Sequence, residues 1–246
     1  MNAQDQSRSP ARPSPLRRSW DNDGWACLSV AAATVSLLAG LYLAMSLAGV
    51  ARYPLVVSLL AVAAVWTALS CGAMAAWARD GIGAVLRAGA VVDAVAVLLL
   101  VLCQMRVLPL TAALEIYLIL AAMCLFCVAT VRLGQRRPAQ LALAALTGTI
   151  LLATMASPLW APNLLETAPL RKAALAAAIY PNALYSIWSV EDVRYIWHES
   201  GLMYRISGIR DYAPPAPQWW ATVAIYTLAA AVIAGANLLR KRLRRT

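Results

Sequence analysis

Six stretches of this chain are too long and too apolar to sit in water: residues 25–48, 55–77, 88–105, 109–131, 139–160 and 219–239. Crossing roughly 30 Å of hydrocarbon takes about 20 residues of helix at a rise of about 1.5 Å each. Inside lipid the backbone has no water to bond, so each stretch must satisfy its own N–H and C=O groups, which a helix does. The separators "ARYP", "ARDGIGAVLR", "MRVLP" and "RLGQRRP" hold the Pro, Gly and Arg that interrupt apolar helices. Pro54, Pro109 and Pro138 suit the first turn of the helix that follows, where a missing N–H costs nothing. The expected fold class is all-α integral membrane, a bundle of six transmembrane helices.

Charge sets the expected orientation. The chain is 62% hydrophobic and 13% charged with a net charge of +10, against about 25% charged in a typical soluble domain. Its cations sit in short clusters between apolar runs, not on one face of a polar domain, which argues against nucleic acid as a partner. With the N-terminus inside, one set of connections carries Arg8, Arg12, Arg17 and Arg18, then Arg79 and Arg87, then Arg132, Arg136 and Arg137, then Arg240, Lys241, Arg242, Arg244 and Arg245. The two short connections on the other side carry only Arg52 and Arg106. Positive charge stays on the cytoplasmic side, so both termini are expected there, in the inner (cytoplasmic) membrane. Residues 1–24 read as a disordered, basic cytoplasmic tail and 240–246 as a second basic tail. The apolar run after Arg17 and Arg18 exceeds the core of a cleaved signal, so it is read as a span.

Residues 161–218 form the one long connection, expected outside. Half of the tryptophan and tyrosine of the chain falls between 180 and 220: Trp188, Trp197, Trp219 and Trp220 with Tyr180, Tyr185, Tyr195, Tyr204 and Tyr212. Such side chains gather at membrane interfaces. "SVEDVRYIWHES" reads as an amphipathic helix capped by Ser189 and ended by Gly201, with Val190, Val193 and Trp197 on its apolar side. "PLRKAALAAAIYP" reads as a shorter helix, on the surface or partly re-entrant. "YAPPAPQWW" would deliver Trp219 and Trp220 to the bilayer boundary. Trp188, Trp197, Trp219 and Trp220 are thus expected interface anchors, and Arg194, His198, Glu199 and Asp211 are candidates for an outer polar pocket.

Within the spans, Asp93 and Glu115 are the notable groups, because ionisable side chains in a bilayer are costly and usually face a bundle interior or a wet cavity. Counted from the span ends they belong to opposite leaflets, so a carboxylate pair is not expected, and Arg106 could reach toward Glu115. Cys27, Cys71, Cys103, Cys124 and Cys127 all fall in spans. Cys124 and Cys127 share one helix side, but with the only histidine, His198, in the outer connection, no metal site and no cofactor are expected. Phosphate-loop, metalloprotease and serine-hydrolase motifs are all missing, so no catalytic residue is assigned and enzymatic activity is not expected. Gly72, Ala75, Ala76, Gly148, Ala230, Ala231, Ala234 and Gly235 allow close helix packing.

The plan of six spans, with "YPNALYSIWSV" and a Pro- and Trp-rich lead into "WWATVAIYTLAAAVIAGANLLRKRLRR", resembles the ABC-2 type permease family over its topology and about the last 90 residues. The resemblance implies a permease-like membrane subunit working with a separate ATPase, with Arg79, Asp80 and Arg87, or the 132–138 turn, contacting that partner. Two other readings stand beside it. One is a non-catalytic scaffold or accessory subunit of a larger membrane complex. The other is a proton-coupled carrier or membrane enzyme using Asp93 and Glu115. Expected partners are the lipid bilayer and other membrane or ATPase subunits, with a homo-oligomer allowed.

Overall fold

The computed structural model describes residues 15–50, 52–157, 177, 179–190 and 218–243, with side chains from residue 24 onward except at 52 and 53. Seven helices run through them: α1 (Pro15–Leu47), α2 (Arg52–Trp77), α3 (Gly81–Gln104), α4 (Leu110–Val131), α5 (Arg137–Met155), a short α6 (Ala183–Ser189) and α7 (Trp219–Leu243). All but α6 are long and apolar enough to cross a membrane.

Two helix starts differ from the sequence expectation. α1 begins at Pro15, so the last part of the expected tail is helical. Between α2 and α3 the expected ten-residue connection shrinks to Ala78–Asp80. Asp80 explains this: its backbone is extended and its side chain accepts the Gly83 N–H at 2.6 Å, capping a helix that runs through both glycines. Lengthening α3 moves Asp93 from within one leaflet to the middle of the helix, 12 residues or about 18 Å from Gly81. At the other end, α1 closes through Gly49 at φ 72, whose successor Val50 donates back to the Met45 carbonyl. α3 closes the same way, but with Arg106 in the left-handed position at φ 53.

The centre is α2 and α4. α2 packs against α1, α3, α4 and α5, while α4 packs against α2, α3, α5 and α7. Small residues permit the approach. Ala64, Ala75, Ala84 and Ala88 have no exposed surface, and a Cβ built on Gly72 would stand 3.4 Å from the backbone of Ala144 on α5. On α7 only Thr222, Tyr226 and Ala230 are buried, a stripe at four-residue spacing, while Ala231, Ala234 and Gly235 are exposed.

α6 is not on a surface. It packs against α2, α4, α5 and α7, with Ala183 and Ile187 fully buried and Val190 nearly so. Asn182 locks it there. Its Nδ2 donates to the carbonyls of Thr154 and Met155 and to Ser157 Oγ, at 2.9, 3.1 and 3.1 Å, while its Oδ1 accepts the Tyr185 N–H at 2.8 Å. From α7, Thr222 donates to the Tyr180 carbonyl and Tyr226 to that of Pro181, at 2.9 and 2.6 Å. Ser189 ends this helix and donates to the Ser186 carbonyl; the amphipathic helix expected after it lies outside the described residues, as does most of "PLRKAALAAAIYP".

Candidate functional site

Three places in the bundle gather polar or reactive side chains of the kind a function needs. The first is the end where α2 meets α3 and α4 meets α5. The last carbonyls of α2 have no partner within the helix, and cations satisfy them. Arg87 Nη1 donates to the Trp77 carbonyl at 3.3 Å, and Arg132 Nη1, from the end of α4, donates to that of Ala78 at 3.4 Å. The Arg137 guanidinium stands 5.2 Å from the centre of the Trp77 ring, a cation–π contact. Asn237 of α7 donates to the Arg132 carbonyl at 3.0 Å. Two turns that are separate in sequence are therefore stitched into one basic surface. Arg79, Asp80, Arg136 and Arg137 are exposed upon it, and the basic end of α7 (Arg240, Lys241 and Arg242) is exposed as well. Asp80, a contact candidate, has its carboxylate engaged in capping α3.

The second place is mid-membrane. Asp93 is exposed, and Tyr117 Oη donates to its Oδ1 at 3.0 Å. An interior position was the natural expectation for a carboxylate in a span. α3 instead fills its inward face with Ala84, Ala88, Val91 and Val95, each with no exposed surface, and turns Asp93 away from α2. Glu115 lies about 7 Å from the start of α4, two residues and roughly 200° around the helix from Tyr117. Asp93 and Glu115 accordingly share neither depth nor face. The Arg106 side chain is exposed, at the left-handed turn that closes α3.

A third cluster forms where Cys71 of α2 meets Cys124 and Cys127 of α4. Its thiol lies beside Cys124 and donates to the Ala88 carbonyl at 3.5 Å. All three are buried, while Cys27 and Cys103 are partly exposed. Among the described residues no group of three histidine, cysteine or acidic side chains is arranged to hold a metal ion. The thiols act as small packing groups at the α2–α4 contact.

Of the expected anchors, Trp188 and Trp219 pack in part against the buried core, whereas Trp220 is exposed and donates its indole N–H to Gln218. Arg194, Trp197, His198, Glu199 and Asp211 lie outside the described residues. Sequence reasoning missed Tyr117, Asn182, Thr222 and Tyr226. Asn182 was within reach, since Asn before "ALYS" is a helix-cap signal. Tyr117 was not, because nothing in the apolar run around it sets which side of the helix meets α3.

The class of protein is a multi-pass helical membrane protein. Beyond that class, no family model, no curated protein and no solved structure matches this chain.

Proposed function

We propose that this chain is a permease-like membrane subunit of the inner membrane whose work depends on a separate cytoplasmic ATPase, docked on the basic end of the bundle. The supporting observation is the fusion of the α2–α3 and α4–α5 turns around Trp77 and Ala78. A partner that moves helices needs a stiff handle, and this handle grips the ends of α2, α3, α4 and α5 at once. Its exposed cations would meet an acidic partner surface, and complementary charge fixes register as well as speeding encounter. In this reading both termini are cytoplasmic, and α6 closes the bundle at the far end.

The test is purification of the full chain from its native membrane in mild detergent. A nucleotide-binding protein should co-purify, and Arg79→Glu with Arg136→Glu should release it while leaving the thermal unfolding midpoint unchanged. Stoichiometric partners without any nucleotide-binding protein would overturn the ATPase reading.

That result would favour a second reading, an accessory or scaffold subunit with no transport path of its own. One observation speaks for it. The shared centre of α2, α3 and α4 is packed with Leu60, Ala64, Val95, Ile119 and Met123, each at most 1% exposed. Such a centre holds a bundle together and offers a polar solute nothing to bind.

A further inference from the structure

We infer that the membrane-facing side of α3 at Asp93 is a docking site for the transmembrane helix of another protein, one carrying a lysine or arginine near the middle of its span. The inference is independent of the cytoplasmic partner proposed above.

Asp93 stands in a stripe whose other members are apolar and exposed: Ile82, Val85 and Leu86 on one side, Val97 and Leu100 on the other. The stripe spans α3 along its length, and Asp93 is at its middle, 12 residues from Gly81 and 11 from Gln104. Polar and ionisable groups in a bilayer almost always face a bundle interior or pair with one another. Asp93 does neither fully. Among the described residues its partner is the single Tyr117 hydroxyl, which serves one oxygen and supplies no charge. Tyr117 engages Oδ1 alone, and an ionised carboxylate has further acceptor sites to offer a donor on the stripe.

Charge complementarity selects the occupant. A lipid headgroup remains at the interface, about 15 Å away from mid-depth. A second copy of this chain is also a poor match. The cations of the described spans lie toward their ends, at Arg87, Arg137, Arg240, Lys241 and Arg242. A parallel copy would therefore place Asp93 against Asp93. A foreign helix with a central cation satisfies the carboxylate and covers the apolar stripe with the same contact.

The experiment uses the full chain in phosphatidylcholine vesicles at pH 7, with photoreactive benzoylphenylalanine placed at Val97, one turn from Asp93. The probe is a labelled transmembrane peptide of about 20 leucine and alanine residues with one central lysine, compared with the same peptide carrying central leucine. Cross-linking to the lysine peptide should exceed that to the leucine peptide about tenfold, in line with an intramembrane polar contact. Asp93→Asn should bring it down to the leucine level, and Tyr117→Phe should reduce it in part. Size-exclusion profiles check that both variants remain folded. Equal yields for the two peptides would overturn the proposal, as would cross-links joining two copies of the chain in place of chain to peptide. In native membranes, mass spectrometry of the Val97 adduct should find a helix with a mid-span lysine or arginine; a helix lacking one would also overturn it.

Discussion

α2 and α7 have nearly the same mean hydropathy, 2.1 and 1.8, yet 67% of the apolar window of α2 is buried inside the protein and only 11% of that of α7. α1 resembles α7, at 1.9 and 11%. Hydropathy drives a helix into lipid and stops there, because lipid tails solvate leucine as well as another helix does. What draws helices together is close packing and hydrogen bonding, and the two kinds of helix use these differently. α2 relies on small side chains that let backbones approach. α1 and α7 each pack chiefly on one neighbour, α3 and α4, and add a few polar clasps: Trp66 Nε1 donating to Thr34 Oγ1 at 3.0 Å for α1, and the bonds from Thr222, Tyr226 and Asn237 for α7.

The largest effect is expected at the central contact. Gly72→Leu drives four carbons toward the Ala144 backbone, which a Cβ alone would meet at 3.4 Å. Backbone cannot yield as a flexible side chain does, so a loss of about 3 kcal/mol is expected. The measurement is the fraction folded after heating in detergent, read by size exclusion. Gly235→Leu on α7, where nothing lies within 4 Å, should match the parent. Equal losses at the two sites would erase the distinction between central and peripheral helices.

Next in size is Asn182→Ala. It removes the cap of α6 and every bond from its amide to the end of α5. About 2 kcal/mol is expected from the lost cap and the buried polar groups left behind. The turn leading into α6 also receives two of the clasps of α7, at the Tyr180 and Pro181 carbonyls, so limited proteolysis should cut near the start of α7 sooner than near the start of α1. Uniform susceptibility at both ends would mean that α7 is held by something other than α6.

These contrasts bear on what a reader of the sequence can extract. The six spans were legible because a run of apolar residues is a statement about solvent, and solvent is what composition reports. Helix starts were less so. Asp80, Gly81 and Gly83 look like breakers together, and only the Asp80 bond to the Gly83 N–H shows that they begin a helix. The fusion of the two basic turns was invisible, since it depends on Arg132 and Ala78 meeting across 54 residues. Asp93 stood out at once as a carboxylate in a span. Its outward direction did not, because an evenly apolar helix has no polar face to set the phase. α4, with a mean hydropathy of 2.3, reads the same on every side, yet it packs against α2, α3, α5 and α7.

A smaller effect is expected at the clasp of α1. Thr34 is fully buried, accepts from Trp66, and donates to the Val30 carbonyl at 2.9 Å. Thr34→Val keeps the shape and removes the acceptor. Intramembrane hydrogen bonds average about 0.6 kcal/mol and reach about 1.7, so a loss near 1 kcal/mol is expected by reversible unfolding in mixed micelles. Trp66→Phe should cost a similar amount alone and little more in combination, since both changes break the same bond. Full additivity would show that the two side chains act separately.

The smallest effect is the one that tests the comparison most directly. Val232 lies on α7, 71% exposed, on the side away from the buried stripe of Thr222, Tyr226 and Ala230. In a soluble protein Val→Ala at an exposed site changes little because water already solvates the side chain. Here lipid plays that part, and the methyl groups lost from valine are replaced by acyl chain. Val232→Ala should therefore shift stability by less than about 0.5 kcal/mol, while Tyr226→Phe on the buried stripe costs about 1 kcal/mol through the lost bond to Pro181. Should Val232→Ala instead lower the apparent mass on size exclusion, the outer side of α7 would be covered by protein and not lipid, and its low burial would describe one chain within an assembly.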